Sequence, residues 1–230
     1  TAHAFIRSQE GLLTGILRLD TAEASSLEPA ALSPVGSQWS SQGVVSGWVP
    51  DFRRLDLSAL TIRSSSLPGL RSILIGATRG GAAIVLHDHT LYRAEDIAFT
   101  PIALPEASRA HLELVSASDM SPDGDALLLG RLDGQLVQLS LPDGAVRQRR
   151  LFEGAVLSVA VTADGQRGAA LSHDGAAWLW QGDREARRLP GTWEQVRWSG
   201  PDTLLLIGDR LEAWTLPAVA DWLYRQRAAR

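Results

Sequence analysis

Cysteine, lysine and asparagine are all missing from this sequence. Without cysteine there are no disulfides, no thiolate nucleophile and no cysteine-ligated metal, although the compartment stays open because cytosolic and exported proteins can both lack it. All 22 basic residues are arginine. No physical requirement of a fold forbids lysine and asparagine together, so we read the bias as that of a GC-rich, bacterial genome. No apolar run approaches the ~18–20 residues of a membrane-spanning helix. The net charge of −4 offers no overall attraction to nucleic acid or to an anionic bilayer. No Gly-rich phosphate loop, nucleophile elbow or zinc-protease motif occurs. The expectation is a cytoplasmic protein with no cofactor. An exported form stays open, because the chain starts at Thr1 rather than at Met, which is compatible with removal of a signal peptide or an upstream domain.

What is present is a repeat. The turn Ser121-Pro122-Asp123-Gly124 recurs 41 residues later as Thr162-Ala163-Asp164-Gly165, and Asp133-Gly134 recurs as Asp174-Gly175 at the same spacing. Two independent turns at one spacing mean one structural unit written twice. A period near 40 carrying short β-prone runs points to propeller blades. The spacing predicts strands over 112–118, 126–130, 135–141 and 145–152 in the first repeat. In the second it predicts 156–161, 168–172, 176–180 and 185–189. A third unit covers 193–198, 203–207 and 210–216, with its hairpin turn at Gly208-Asp209.

The front half follows the rhythm more loosely. A hairpin is expected around Gly11, an outer strand within 21–37, strands on either side of Pro50-Asp51, and strands on either side of Arg79-Gly80-Gly81. Residues 97–104 read as a further outer strand. Aligning the hairpin turns Gly11, Asp51, Gly80, Asp133, Asp174 and Asp209 gives six blade-like units at individual spacings of 29 to 53. The fold class is therefore all-β: a β-propeller of about six four-stranded blades, five to seven being compatible with the spacings. It is expected to occupy residues 1–216 as one domain. Residues 217–230 are expected to form a short C-terminal helix, with Pro217 at its first position, arginines near its end, and an apolar stripe of Val219, Trp222 and Leu223. Trp222 and Leu223 could contact a partner.

Over Ser121–Leu139 and Thr162–Trp180 the chain resembles the WD-repeat β-propellers. The shared pattern is a strand, a Ser-Pro-Asp-Gly turn, a strand of small residues, Asp-Gly, then an apolar strand ending in Trp. Ser172-His173-Asp174-Gly175-Ala-Ala-Trp-Leu-Trp180 carries it most closely, and 193–216 is a third copy. Two departures stand out. Glu153-Gly154 and Pro190-Gly191 replace the Gly-His expected between units, and Trp180-Gln181 and Trp214-Thr215 replace Trp-Asp. The side-chain network typical of the family is expected to be incomplete.

Chemistry-bearing residues are few. His87 and His89, if both lay on one strand, would project to one face at a spacing compatible with a metal ion. The recurrence of Asp123, Asp133, Asp164 and Asp174 favours a structural role for each, since a catalytic group is needed only once. The resemblance implies a non-catalytic scaffold that binds another protein or a neighbouring domain of a longer chain. Arg53, Arg79, Arg131, His173 and Arg210, all near hairpin turns, are the expected contact residues. The alternative is a propeller enzyme or small-ligand binder of hydrolase or lyase type, using His87, His89 and a metal in the central channel.

Overall fold

The computed structural model describes residues 72–199 and 202–215 in full; before residue 72 it describes the backbone of the strands 3–7, 13–18, 23–26, 37–40, 43–47, 51–56 and 61–66. The turn at Gly11 and the expected helix over 217–230, with Trp222 and Leu223, lie outside the described residues. The chain divides into two compact units, Thr1–Ile102 and Ala103–Arg230.

In the first unit, β1 (His3–Arg7), β2 (Leu13–Arg18) and β3 (Glu23–Ser26) form a three-stranded antiparallel sheet. A four-stranded sheet follows, made of β4 (Ser37–Ser40), β5 (Gly43–Gly47), β6 (Asp51–Asp56) and β7 (Thr61–Ser66). The next comprises β8 (Ser72–Ala77), β9 (Ala83–His87), β10 (Thr90–Glu95) and β11 (Ala98–Pro101) in sequential order. Strand β9 is buried along its whole length, and Leu74, Ala83, Val85 and Ala94 form the local core with Phe99 packed against it.

The second unit opens with a one-turn helix, α1 (Glu106–Arg109), running into a 3-10 turn at Ala110–Leu112. The reading of the sequence has a connection here and starts the next strand at Leu112. Instead Pro105 caps the turn, and buried Ser108 donates from Oγ to the Gly144 carbonyl at 2.8 Å, which anchors it. Three meanders follow. The first is β12 (Val115–Met120), β13 (Ala126–Arg131), β14 (Gln135–Ser140) and β15 (Val146–Arg150). The second is β16 (Val156–Val161), β17 (Arg167–Ser172), β18 (Ala177–Gln181) and β19 (Arg187–Arg188). The third is β20 (Gln195–Trp198), β21 (Thr203–Ile207) and β22 (Leu211–Thr215). Among the described residues the first and last of the six sheets have three strands, the last matching the three expected over 193–216.

Side-chain alternation shows how the sheets of the second unit stack. Val159, Val161, Ala170 and Trp180 pack with Leu128, Leu136 and Phe152 of the preceding sheet and its exit. Their immediate chain neighbours Ala160, Ala169 and Leu179 pack with Trp193, Val196, Leu204 and Leu206 of the following one. Successive residues of a strand point to opposite faces, so the middle sheet is covered on both faces. That explains why β17 and β18 read as continuous apolar runs. Small residues in β17 let the neighbours close in: a Cβ on Gly168 would stand 2.1 Å from Cζ2 of Trp180.

Candidate functional site

The Asp133-Gly134 and Asp174-Gly175 turns join the second and third strands of their sheets, and a single device holds them. The last residue of the second strand grips the aspartate two positions on. Ser172 Oγ donates to Oδ1 of Asp174, whose carboxylate also accepts the Ala176 N–H. In the preceding sheet Arg131 replaces the hydroxyl. Its Nε and Nη2 donate to the two carboxylate oxygens of Asp133 at 3.2 and 3.0 Å, and Asp133 Oδ1 accepts the Gln135 N–H. Arg131 is 9% exposed, so its charge is spent inside the turn. Burial pushes the Asp133 carboxyl up, but the Arg131 hydrogen bonds and charge outweigh it, and the group sits below its ordinary range.

Arg131 was expected to face a partner; the structure places it beneath the surface. His173 and Arg210 do emerge on the same end of this unit. The His173 ring lies over Gly154, where a Cβ would stand 2.6 Å from Cε1. This histidine fills, from the hairpin turn, the space beside a connection that lacks the family's Gly-His. Arg210 pairs with Glu212 at 2.7 Å and stacks over Trp193, 5.8 Å from the ring centroid. In the first unit, Arg79 is exposed in the turn between the first and second strands of its sheet. It therefore lies at the other end of its strands from the turn equivalent to Asp133-Gly134, and the alignment of Gly80 with that turn is corrected. The equivalent turn in that sheet is Asp88-His89. Arg53 lies in β6 near the corresponding turn of its own sheet, with its side chain outside the described residues.

The Asp88-His89 turn separates the two histidines. Asp88 and His89 have φ of 43° and 62°, the paired positive values of a two-residue type I′ hairpin. His87 is thus the last strand residue and buried, while His89 is exposed in the turn. They do not share a strand face. His87 Nδ1 lies 2.9 Å from Ser72 Oγ across the strand pair, and Nε2 lies 3.4 Å from the Asp88 carboxylate. Among the described residues no group of three His, Cys, Asp or Glu is placed to hold a metal ion.

The innermost strands of the second unit are linked by side chains. Ser116 Oγ donates to the Val156 carbonyl at 2.7 Å. Ser158 Oγ accepts the Val196 N–H at 3.2 Å. Asp119 Oδ2 accepts the Val161 N–H at 2.7 Å. Burial pushes the Asp119 carboxyl up to about 6, against the pull of the Val161 and Met120 amides and the Arg197 charge. The native value lies above that of the unfolded chain. Between about pH 4 and 6 the folded protein therefore keeps a proton that the unfolded chain has lost, and Asp119's contribution to stability falls as pH rises through this window. Asp119→Asn keeps the acceptor for Val161 and removes the buried anion. In urea titrations the variant should exceed the wild type by about 3 kcal/mol at pH 8 and converge on it below about pH 4. A pH-independent difference would contradict the assignment.

At the opposite strand ends a cleft of about 370 Å³ lies between the first two meanders, lined by Asp123, Asp125, Gln138, Asp143, Arg147 and Asp164 among others. Its repeated carboxylates are held within their turns. Ser121 donates to Asp123 and Thr162 to Asp164, each at 2.5 Å, and these hydroxyls keep both groups below the usual carboxylate range.

Stacked four-stranded meanders with linked inner strands and Asp-clamped turns are the blade pattern of a propeller. In solved structures, 1294 chains match this one. The β-propeller domain of Cps50 (Swd1) from Myceliophteria thermophila matches with a TM-score of 0.66 at 14% identity, over 92% of this chain and 78% of that one. The chain has a β-propeller fold. No family model matches it, and no curated protein matches it significantly. The propeller is WD-repeat-like in its blades, and so widely shared a fold carries no function by itself. No helix among the described residues is long and apolar enough to cross a membrane.

Proposed function

We propose that this propeller is a non-catalytic interaction scaffold, with one blade per sheet over residues 1–216, that binds another protein or a neighbouring domain. The observation that carries this reading is the composition of the Asp-Gly end of the second unit. Asp133 and Asp174 there are tied into their own turns, whereas His173, Arg210 and Leu211 are exposed. An arginine supported by a tryptophan and flanked by apolar surface is the kind of anchor that protein interfaces favour.

The test uses the full chain as immobilised bait in an extract of its source organism, with His173→Glu/Arg210→Glu as control bait. One dominant protein is expected on the wild type and at least tenfold less on the control. Both substitutions are at exposed positions, so the melting temperature should move by no more than about 2 °C. Equal capture by both baits would remove this end as the contact surface.

A further inference from the structure

We propose that Leu114 and Leu132 form a paired apolar anchor for an amphipathic partner segment bearing aliphatic side chains flanked by basic residues; this rests on the scaffold reading and names the chemistry of the partner. Leu114 precedes β12 and Leu132 sits in the β13–β14 turn, and the Leu132 N–H donates to the Leu114 carbonyl at 2.9 Å. This bond holds the two residues next to one another, and they are 51% and 54% exposed.

Leu114 also has φ of 57°, a left-handed conformation in which Gly, Asn or Asp is at home and leucine is costly. The fold itself does not call for leucine at either position. One repeat later the His173 N–H makes the same bond to the Ala155 carbonyl at 3.1 Å, and there it forms with alanine and histidine and without a left-handed residue. Two large apolar residues held in water, one of them on unfavourable backbone, mark surface kept for contact rather than for stability.

The flanking charge selects the partner. Glu113 adjoins Leu114 in the chain and is exposed. Exposed Glu153 lies beside the turn that carries Leu132, because Gly134 of that turn packs against the backbone of Phe152 and Gly154. Arg131 and Asp133 neutralise each other beneath them. Arg150 lies on the outermost strand of the sheet, opposite Gln135. The apolar pair thus has the exposed Glu113 and Glu153 near it, which favours lysine or arginine beside the partner's aliphatic residues.

The experiment compares the full chain with Leu114→Asn/Leu132→Gln in fluorescence anisotropy. The probes are two labelled amphipathic helical peptides that differ only in carrying lysine or glutamate around the same leucines. Wild type should bind the Leu/Lys peptide at least tenfold more tightly than the Leu/Glu peptide, and the double variant should lose at least tenfold for Leu/Lys. Leu114→Asn alone should melt at or above the wild-type temperature, because asparagine tolerates the backbone that leucine resists. A lower melting temperature for that variant would make Leu114 a structural residue and overturn the proposal. So would equal binding by the double variant, equal binding of the two peptides, or no binding of Leu/Lys by the wild type. Each of these outcomes leaves the scaffold reading standing, since extract capture tests that reading through His173 and Arg210.

Discussion

Gly134→Ala is expected to remove roughly 3–4 kcal/mol of stability, one of the two largest effects that the structure forecasts. Two causes add. Gly134 has φ of +82°, and a Cβ there would stand 2.1 Å from the carbonyl oxygen of Phe152 and 2.7 Å from its carbon. The left-handed backbone alone costs an alanine about 1–2 kcal/mol. The obstructing atoms belong to the backbone entering the next sheet, so relief requires that connection to shift rather than a side chain to rotate. Gly165 is the internal control. It too has positive φ, +66°, but its nearest neighbour would be the Ala126 methyl at 3.3 Å. Gly165→Ala should therefore lose only the backbone share, about 1 kcal/mol. Urea unfolding of both variants checks this, and equal losses would mean that the Phe152 connection yields freely.

Arg131→Glu is the second. It removes the cation of a largely buried, two-pronged pair and sets a carboxylate beside Asp133. Breaking a buried pair from one side costs about 3–5 kcal/mol; Asp133 is partly exposed, with 33% of its side chain open to solvent, which places the expected loss near 3 kcal/mol. Arg131→Met should cost less, since the stem keeps its packing and no repulsion is added. Thermal unfolding in low salt distinguishes the two variants. If Arg131→Glu melts with the wild type, the arginine is not part of the turn.

The contrast between Arg131 and Arg210 shows where the sequence was informative. The repeat at 41 residues, the Asp-Gly turns and the apolar strands placed the meanders of the second unit to within a few residues, because turn chemistry and side-chain period are local. Which arginine of a turn is spent inside it is not local. Residues 131 and 172 occupy equivalent places, and the exchange of serine for arginine in front of the same aspartate was the available signal. The alternative that set His87 and His89 on one strand face fails for a related reason: without Gly or Asn, the Asp88-His89 turn carries no strong hairpin signature in the sequence. The exposed leucines left a fainter trace. Leu132 stands where the next repeat has His173, and a bulky apolar residue in a tight turn is itself anomalous.

The hydroxyls and carboxylate that reach from one inner strand to the next have a further consequence. In each meander the first strand is a sheet edge, and exposed edges invite a foreign strand to pair with them. On β16 the Val156 carbonyl and the Val161 amide are already occupied by Ser116 and Asp119, and on β20 the Val196 amide is occupied by Ser158. A strand from another copy would have to displace these groups before forming a ladder. The same contacts that join neighbouring sheets thus guard the molecule against edge-to-edge aggregation.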